Sequence, residues 1–253
     1  MPRGDTTATR SVMADNMLFT SIIAQMGFCT TQTQTVTSQD RGHGEVPTLR
    51  RPEDFIDLLA KKAAWPLSCE PEAGSLRIAT VRLESYDPAA CELGTLAGSR
   101  VGIYSFAKQV FFEYRGGLVL RSAIEHHEEI VEPLGSVVGC VRVLTILRSK
   151  DAEVLYGLWK IPSPDAMTES SSQDGTRLAA LDRRSGKLLR CRRGNGPNQE
   201  EFTVHPMTEV ALEGMTIPSC EEVLDAATKA NRVFARFDVL GWDICITPPA
   251  QQF

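Results

Sequence analysis

Toward the end of the sequence stands Val239-Leu240-Gly241-Trp242-Asp243-Ile244-Cys245-Ile246-Thr247, a run in which apolar side chains alternate with small or polar ones. A period of two is typical of a β-strand, so one face of the run is predicted to pack on a core. The other face carries Asp243, and Gly241 leaves space beside it. A half-buried carboxylate needs a partner, and the pattern leaves two kinds open: a metal or substrate cation, or a structural Arg or Lys.

The composition is that of a globular protein. The 253 residues are 42% hydrophobic and 23% charged, with a net charge of −5, which suits one large domain or two small lobes. No basic excess argues for nucleic acid, and no apolar run approaches the roughly 20 residues of a membrane helix. The N-terminal residues lack an apolar signal core, so a cytoplasmic protein is expected. The seven cysteines show no Cys-x-x-Cys, which argues against zinc ligation and a disulfide framework.

Three helices are predicted. The apolar spacing within residues 15–27 indicates the first, and the Pro-Glu-Asp start of residues 52–62 indicates the second. The third begins at Ser219, which is expected to form a Ser-x-x-Glu capping box with Glu222.

The most strand-like run is 137–147, which is rich in β-branched residues and has Arg142 as its single charge. A guanidinium in mid-strand suits a phosphate or carboxylate ligand, and the alternative is an ion pair with a strand neighbour such as Glu153. Residues 153–161 are the expected hairpin partner. Ser185-Gly186 is predicted to be the bend of a further hairpin.

Residues 162–177, rich in Ser, Pro and Asp, are predicted to form a mobile loop. The hairpin that follows carries a cluster of basic side chains, which either form a solvated face or meet an anionic substrate. The cluster comprises Arg183, Arg184, Lys187, Arg190, Arg192 and Arg193.

The order of motifs in the C-terminal part resembles ATP-grasp domains, specifically the sugar-transfer-associated group related to α-L-glutamate ligases. His205-Pro206 is followed by the Gly-x-x-Ile-Pro of residues 214–218, by the predicted helix, and by the Gly-Trp-Asp-x-x-Ile-Thr of residues 241–247. The resemblance spans most of residues 14–247 and is closest from 203 onward.

The resemblance implies an α+β, ATP-grasp-like fold with two α+β lobes and mixed or antiparallel sheets. Residues 1–13 are then a flexible N-terminus, 14–115 the N-terminal part of the domain, and 116–253 its C-terminal part. In the family a hairpin with Glu-x-Asn supplies further metal ligands. No such motif precedes Phe253, so the C-terminal part is expected to lack this hairpin.

The resemblance also implies positions for the nucleotide. The family's phosphate-binding Lys before Pro matches Glu70, whose charge would repel phosphate. Gly74 and Ser75 match the small-residue loop over the phosphates, although alone they are typical of an ordinary turn. The family's hinge glutamate is replaced by Ser122. His127 aligns with a histidine at a helix start, for which we expect a structural or capping role.

The implied activity is ATP- and Mg²⁺-dependent ligation of a small-molecule carboxylate to an amine or other nucleophile, through an acyl phosphate. By the same resemblance Asp243 is a metal ligand, Arg142 steadies the phosphoryl group or the substrate carboxylate, and His205 lies on the substrate side unless it is structural. The departures from the family predict impaired activity. The alternative is a non-catalytic nucleotide-binding or protein-interaction module. Self-association through the edge of the strand 239–247 is also expected.

Overall fold

A computed structural model describes residues 7–39, 41–72, 80–113, 117–135, 139–149, 151–162, 177–194 and 199–248. The loop predicted over 162–177 lies outside these residues except for its two ends. The chain divides into two compact units, residues 10–124 and residues 125–253 together with 1–9. Each unit has its own sheet and helices, which confirms the α+β architecture predicted from the sequence.

The described residues up to Ile124 form four helices and seven strands. They are α1 (Thr7–Ala14), α2 (Asn16–Gln25), β1 (Thr33–Thr37), β2 (Thr48–Leu49), α3 (Pro52–Lys61), β3 (Leu67–Pro71), β4 (Val81–Asp87), β5 (Glu92–Thr95), β6 (Arg100–Gly102), α4 (Ile103–Glu113) and β7 (Leu118–Ser122). The strand order is β2-β1-β7-β3-β4-β5-β6, and among these described strands only the β1–β2 pair is parallel. Because β7 pairs with β1 and β3, it belongs to the first unit, which ends at Ile124.

Alternation along β7 explains how helices cover both faces of this mixed sheet. Leu118 and Leu120 belong to the buried cluster that includes Phe55 of α3 and Ile103 of α4. Val119 points to the other face, where it packs with Val36 of β1 and Met17 of α2. Successive strand residues thus supply two separate apolar layers.

One junction of the first unit requires glycine. Gly117 has a φ of +98°, which side-chain-bearing residues rarely adopt, and an added Cβ would clash with Glu72 Oε2 and lie 2.7 Å from the Thr37 carbonyl oxygen. Glu72 is buried, and its other carboxylate oxygen lies 3.4 Å from Nε2 of His43. The close approach of backbone and carboxylate is therefore possible only without a side chain at residue 117.

Beyond Ile124, the residues that the structure describes form two helices and six strands. They are α5 (Glu128–Leu134), β8 (Cys140–Arg148), β9 (Asp151–Ile161), β10 (Arg177–Leu181), β11 (Leu188–Arg193), β12 (Glu200–Phe202), α6 (Cys220–Val233) and β13 (Val239–Ile244). The strand order is β12-β11-β10-β9-β8-β13, and all pairs are antiparallel. In the described part of the chain, β13 is therefore an edge strand paired with β8 alone.

The helix α6 packs against β8, β9 and β13 and covers one face of this second sheet. Phe234, which caps α6, contacts the ring of Trp242, so the apolar side of β13 faces the helix. Trp242 and Ile246 are buried, as the alternation predicted. The indole N–H of Trp242 donates to the hydroxyl of Thr145, 3.0 Å away. The apolar face of β13 is thus fixed to β8 by packing and by a buried hydrogen bond.

The predicted capping box at Ser219 is wrong. Ser219 precedes α6 but has a φ of +51°, and its side chain makes no bond to the first turn. A serine that caps with its hydroxyl needs an extended backbone. Here the approach to the helix is fixed by a non-local bond, because Ile217 N–H donates to Gly186 O at 2.8 Å. The left-handed turn at Ser219 follows that constraint.

Candidate functional site

The face of the second sheet opposite α6 carries the charged residues that the sequence singled out. Arg142 lies on β8, directly opposite Asp243 of β13 and Leu158 of β9. We call this surface the Arg142 face. Its members, all at least partly exposed apart from the fully buried Cys140, share one side by register. They are Asp243, Gly241, Cys140, Arg142, Leu144, Leu158, Lys160 and Leu178.

Three charged side chains meet on the Arg142 face. Arg142 Nη1 donates to Asp243 Oδ2 at 3.2 Å, and Lys160 Nζ donates to the same oxygen at 3.5 Å. Lys160 reaches Asp243 across β8. The side chains of Lys160 and Asp243 are 18% and 22% exposed, whereas that of Arg142 is 43% exposed. The partner of Asp243 is therefore a pair of protein cations, the structural alternative that the sequence left open.

Gly241 makes room for the guanidinium of Arg142. A Cβ on Gly241 would lie 3.2 Å from Nη2 and 3.3 Å from Nε of Arg142. The space that glycine was predicted to leave beside Asp243 thus holds the side chain of its partner. A guanidinium has five N–H donors, so that of Arg142 keeps several besides the one that contacts Asp243.

These residues do not fit Mg²⁺. The ion requires several oxygen ligands in near-octahedral geometry, and the described residues contain no group of three His, Cys, Asp or Glu side chains that could hold a metal. Asp243 Oδ2 already accepts from two cations, both of which would repel a divalent ion placed there. As arranged, the cluster is suited to an anion.

His205 lies in a tight turn and contacts its own segment. The ring is buried, with Nδ1 3.1 Å from Thr208 Oγ1, and that hydroxyl donates to the Pro133 carbonyl at 2.7 Å. The turn is closed by Glu209 N–H, which donates to His205 O. Burial, with a smaller effect of the charge on Arg177, lowers the pKa of His205. These contacts agree with the structural alternative for His205, since they attach the turn to the end of α5.

The predicted nucleotide positions of the first unit are not brought together. Glu70 is half-buried opposite Val119, and Ser122 is opposite Leu67, which places the two on opposite faces of the sheet. Ser122 Oγ accepts a hydrogen bond from Gln34 Nε2 at 3.2 Å. Gly74 and Ser75 fall outside the described residues.

Two structural predictions about charged residues can be checked. His127 caps α5, since its Nδ1 accepts from Glu129 N–H at 3.3 Å, and this confirms its capping role. The proposed pairing of Arg142 with Glu153 is wrong, because Glu153 is opposite Ile146 and pairs with Arg148. The register of the hairpin places Glu153 beyond the reach of Arg142.

The basic cluster of the β10–β11 hairpin is largely solvated. Arg192 pairs with Glu201 at 3.3 Å, and Arg193 pairs with Glu200 through well-exposed side chains. Ion pairs of this exposure contribute little to stability. The arrangement favours the solvated basic face over a preformed substrate site.

Sequence reasoning missed Lys160. It lies opposite Cys140, two residues along β9 from the partner of Arg142. Since residues 153–161 were expected to pair with 137–147, counting alternate positions along the hairpin would have placed Lys160 on the same face as Arg142.

No helix among the described residues is long and apolar enough to cross a membrane. A cytoplasmic location stays a prediction from the sequence.

Comparison with known proteins shows the fold and the family. The VanG D-Ala:D-Ser ligase from Enterococcus faecalis superposes with a TM-score of 0.50 at 8% identity, over 96% of this chain and 51% of the ligase. An L-amino acid ligase from Bacillus licheniformis gives a TM-score of 0.39 at 12% identity, over 92% of this chain and 52% of that one. The chain thus spans about half the length of these solved structures. No curated protein matches by sequence.

The family evidence comes from the sequence itself. Residues 90–250, more than half of the chain, match the family described as sugar-transfer associated ATP-grasp. This range includes Arg142, Lys160 and Asp243, and the mixed and antiparallel sheets agree with the fold that the resemblance implied. The chain belongs to the sugar-transfer associated ATP-grasp family.

Proposed function

We propose that the Arg142 face binds the phosphate chain of ATP, and that the chain acts as an ATP-grasp ligase-like protein. The observation that carries the proposal is the meeting of Arg142 and Lys160 around one carboxylate oxygen. Two cations with unused N–H donors suit a polyphosphate, because hydrogen bonds between charged partners are the strongest available at a partly exposed site.

The apolar residues of the same face support a nucleotide over a simple anion. Leu144, Leu158 and Leu178 lie beside the cations and are partly exposed. An aromatic base placed over these side chains would bury apolar area while its phosphates contact the cations. A surface of this kind, apolar with a few polar groups at one end, is typical of ligand sites.

The reaction that we propose transfers the terminal phosphoryl group of ATP to a small-molecule carboxylate. A carboxylate oxygen attacks the γ-phosphorus, the bond to ADP breaks, and an acyl phosphate forms. An amine or other nucleophile then attacks the acyl carbon and releases phosphate. Arg142 would hold the transferred phosphoryl or the carboxylate, since a guanidinium can contact two oxygens of either group. In this proposal His205 stabilises its turn and does not contact the substrate. No residue is assigned as a magnesium ligand.

A second candidate is a nucleotide-binding module without catalysis. Two observations favour it. Asp243 Oδ2 is already bound by Arg142 and Lys160, and Glu70 is an acidic residue where the family resemblance expects lysine. Such a module would bind nucleotide through the Arg142 face and release no phosphate. It could also act through β13, whose edge is unpaired within the described ranges and can pair with another strand.

Calorimetric titration with a non-hydrolysable ATP analogue tests the proposed site. Arg142→Met should weaken binding about tenfold, the equivalent of one charge-assisted hydrogen bond. Arg148→Met is the matched control, because Arg148 ends the same strand, is exposed and pairs with Glu153. Equal affinity for the wild type and Arg142→Met would contradict a nucleotide site on this face.

Phosphate release separates the two candidate functions. The purified chain is incubated with ATP, Mg²⁺ and a mixture of small carboxylates and amines, and inorganic phosphate is measured. Release that depends on both added substrates supports ligation. Nucleotide binding without any release under these conditions supports the non-catalytic module.

A further inference from the structure

The sharing of Asp243 Oδ2 by two cations has a consequence for how phosphate is held. In a metal-dependent site the carboxylates bind the metal and the metal bridges to phosphate. Here the carboxylate is bound by Arg142 at 3.2 Å and by Lys160 at 3.5 Å. A metal bound at Asp243 Oδ2 would have to displace both cations, and they would still repel it at close range.

We propose that the Arg142 face binds phosphate without a divalent metal, with Lys160 as a second phosphate-contacting residue beside Arg142. Asp243 is then a positioning residue that holds the two cations in place. This inference rests on the proposed nucleotide site and deepens it. The ligand class is a di- or triphosphate chain in its metal-free form.

Lys160 is suited to this part by its placement. Its side chain is only 18% exposed, so most of its aliphatic stem is buried along the sheet while Nζ reaches Asp243. Because the side chain is already held in place, its ammonium group loses little conformational entropy when it contacts a phosphate oxygen. It also lies two strands away from Asp243 and reaches it across β8, which places its charge close to that of Arg142.

Asp243 acts on the two cations in two ways. It orders them, because both donate to one oxygen, and it also neutralises part of their charge. Asparagine at residue 243 would keep an acceptor oxygen for one of them but remove the negative charge. The face would then be more positive, and its attraction for an anion would increase, most strongly at low salt.

The test measures affinity for inorganic tripolyphosphate and for a non-hydrolysable ATP analogue by calorimetry, with EDTA and with excess Mg²⁺. The metal-free ligands should bind in EDTA, and Mg²⁺ should leave the affinity equal or lower, because it masks negative charge on the phosphates. Asp243→Asn should bind the metal-free ligands several-fold more tightly, with a steeper dependence on salt. If Asp243 had only a structural role, its replacement would not make the affinity depend more steeply on salt.

Lys160→Met tests the second cation. It keeps the length of the stem and removes the charge, and it should weaken metal-free binding about tenfold. Lys229→Met is the control, since Lys229 lies exposed on α6 and pairs with Asp225. Thermal melting of each variant shows whether the fold is retained.

The alternative results are distinct. Binding that requires Mg²⁺ and is lost in Asp243→Asn would overturn this inference and leave the nucleotide site in place, with Asp243 as a metal ligand. Unchanged binding in Lys160→Met, where Arg142→Met weakens it, would overturn the part given to Lys160. Absence of binding by either ligand with and without Mg²⁺ would overturn both this inference and the proposed function.

Discussion

Arg142 lies diagonally across the β8–β13 pair from Gly241, with Nη2 of the guanidinium 3.2 Å from the position that a Cβ on Gly241 would take. The guanidinium is exposed enough to move by a few tenths of an ångström, so a methyl group there can be accommodated. The position of Arg142 relative to Asp243 would change, however. The absence of a side chain at residue 241 is thus part of the site.

We expect Gly241→Ala to weaken binding of an ATP analogue several-fold while the free energy of unfolding changes by less than about 1 kcal/mol. The loss arises because Arg142 is displaced from Asp243 and Lys160. Gly102→Ala is the control, since Gly102 is also in a strand and its nearest contact to an added Cβ is at 3.9 Å. Calorimetry and urea denaturation give the two quantities. Unaltered affinity would mean that the orientation of Arg142 has no part in binding.

Gly117→Ala should be strongly destabilising. A side chain at a φ of +98° is strained, and the added Cβ clashes with buried Glu72 and with the Thr37 carbonyl. The two effects together cost roughly 2–5 kcal/mol. Gly98→Ala separates them, because Gly98 has a φ of +78° and nothing within 4 Å of an added Cβ. That control should cost roughly 1 kcal/mol. Similar losses in the two variants would show that small movements of Glu72 and of the backbone at Thr37 relieve both clashes.

The buried His205 should make the fold less stable in mild acid. Its pKa is lowered by burial, so the unfolded chain takes up a proton on this residue at a higher pH than the folded chain. Stability is therefore lost as the pH falls through the unfolded value of about 6.5 toward the lower folded value.

The measurement is urea denaturation of the wild type and His205→Asn at pH 7.5 and pH 5.5. The loss of free energy of unfolding between the two pH values should be smaller in the variant, because asparagine does not titrate. Identical losses would show that His205 is not a source of the acid sensitivity.

We expect Glu70→Lys to strengthen binding of an ATP analogue, since it replaces a repulsive charge by an attractive one at the position where the family resemblance expects lysine. Glu45→Lys is the charge-matched control in the same unit, at an exposed loop position. Equal gains in both variants would indicate a general effect of net charge. No gain in either would mean that residues 66–75 do not align with the family's phosphate-binding strand.

The edge of β13, which no other described strand covers, should allow self-association. Val239 is 47% exposed at the start of this strand, and apolar edges pair readily with other chains. Light scattering should show a mass that rises with concentration, and Val239→Lys should reduce the rise. Val233→Lys is the control, because Val233 is similarly exposed, at 54%, but lies on α6. If both substitutions have the same effect, the association does not involve the strand edge.

Local pattern was sufficient for much of the fold. Alternation predicted β13, and β-branched residues predicted β8. The Pro-Glu-Asp start with lysines at the end predicted α3 within a residue of its bounds. These signals act between near neighbours in the chain, which is why sequence alone carries them.

Only part of the site could be predicted from the sequence. Arg142 and Asp243 were each recognised as charges in mid-strand, but their pairing depends on the register of two strands 101 residues apart. No local pattern encodes that register. The capping box predicted at Ser219 was wrong for the same reason, since a hydrogen bond from Ile217 to Gly186 sets the backbone before α6.

Trp242 lies beside Asp243 in the chain but on the opposite face, with its ring buried and its N–H bonded to Thr145. The chain therefore contains a fluorophore that reports on the pairing of β13 with β8 and is shielded from the Arg142 face. Its emission belongs to an apolar, hydrogen-bonded indole for as long as the strand stays docked. Detachment of β13 would expose the Trp242 ring to water and shift its emission to longer wavelength. The exchange of one charge for another at residue 142, 160 or 243 would leave that emission wavelength unchanged.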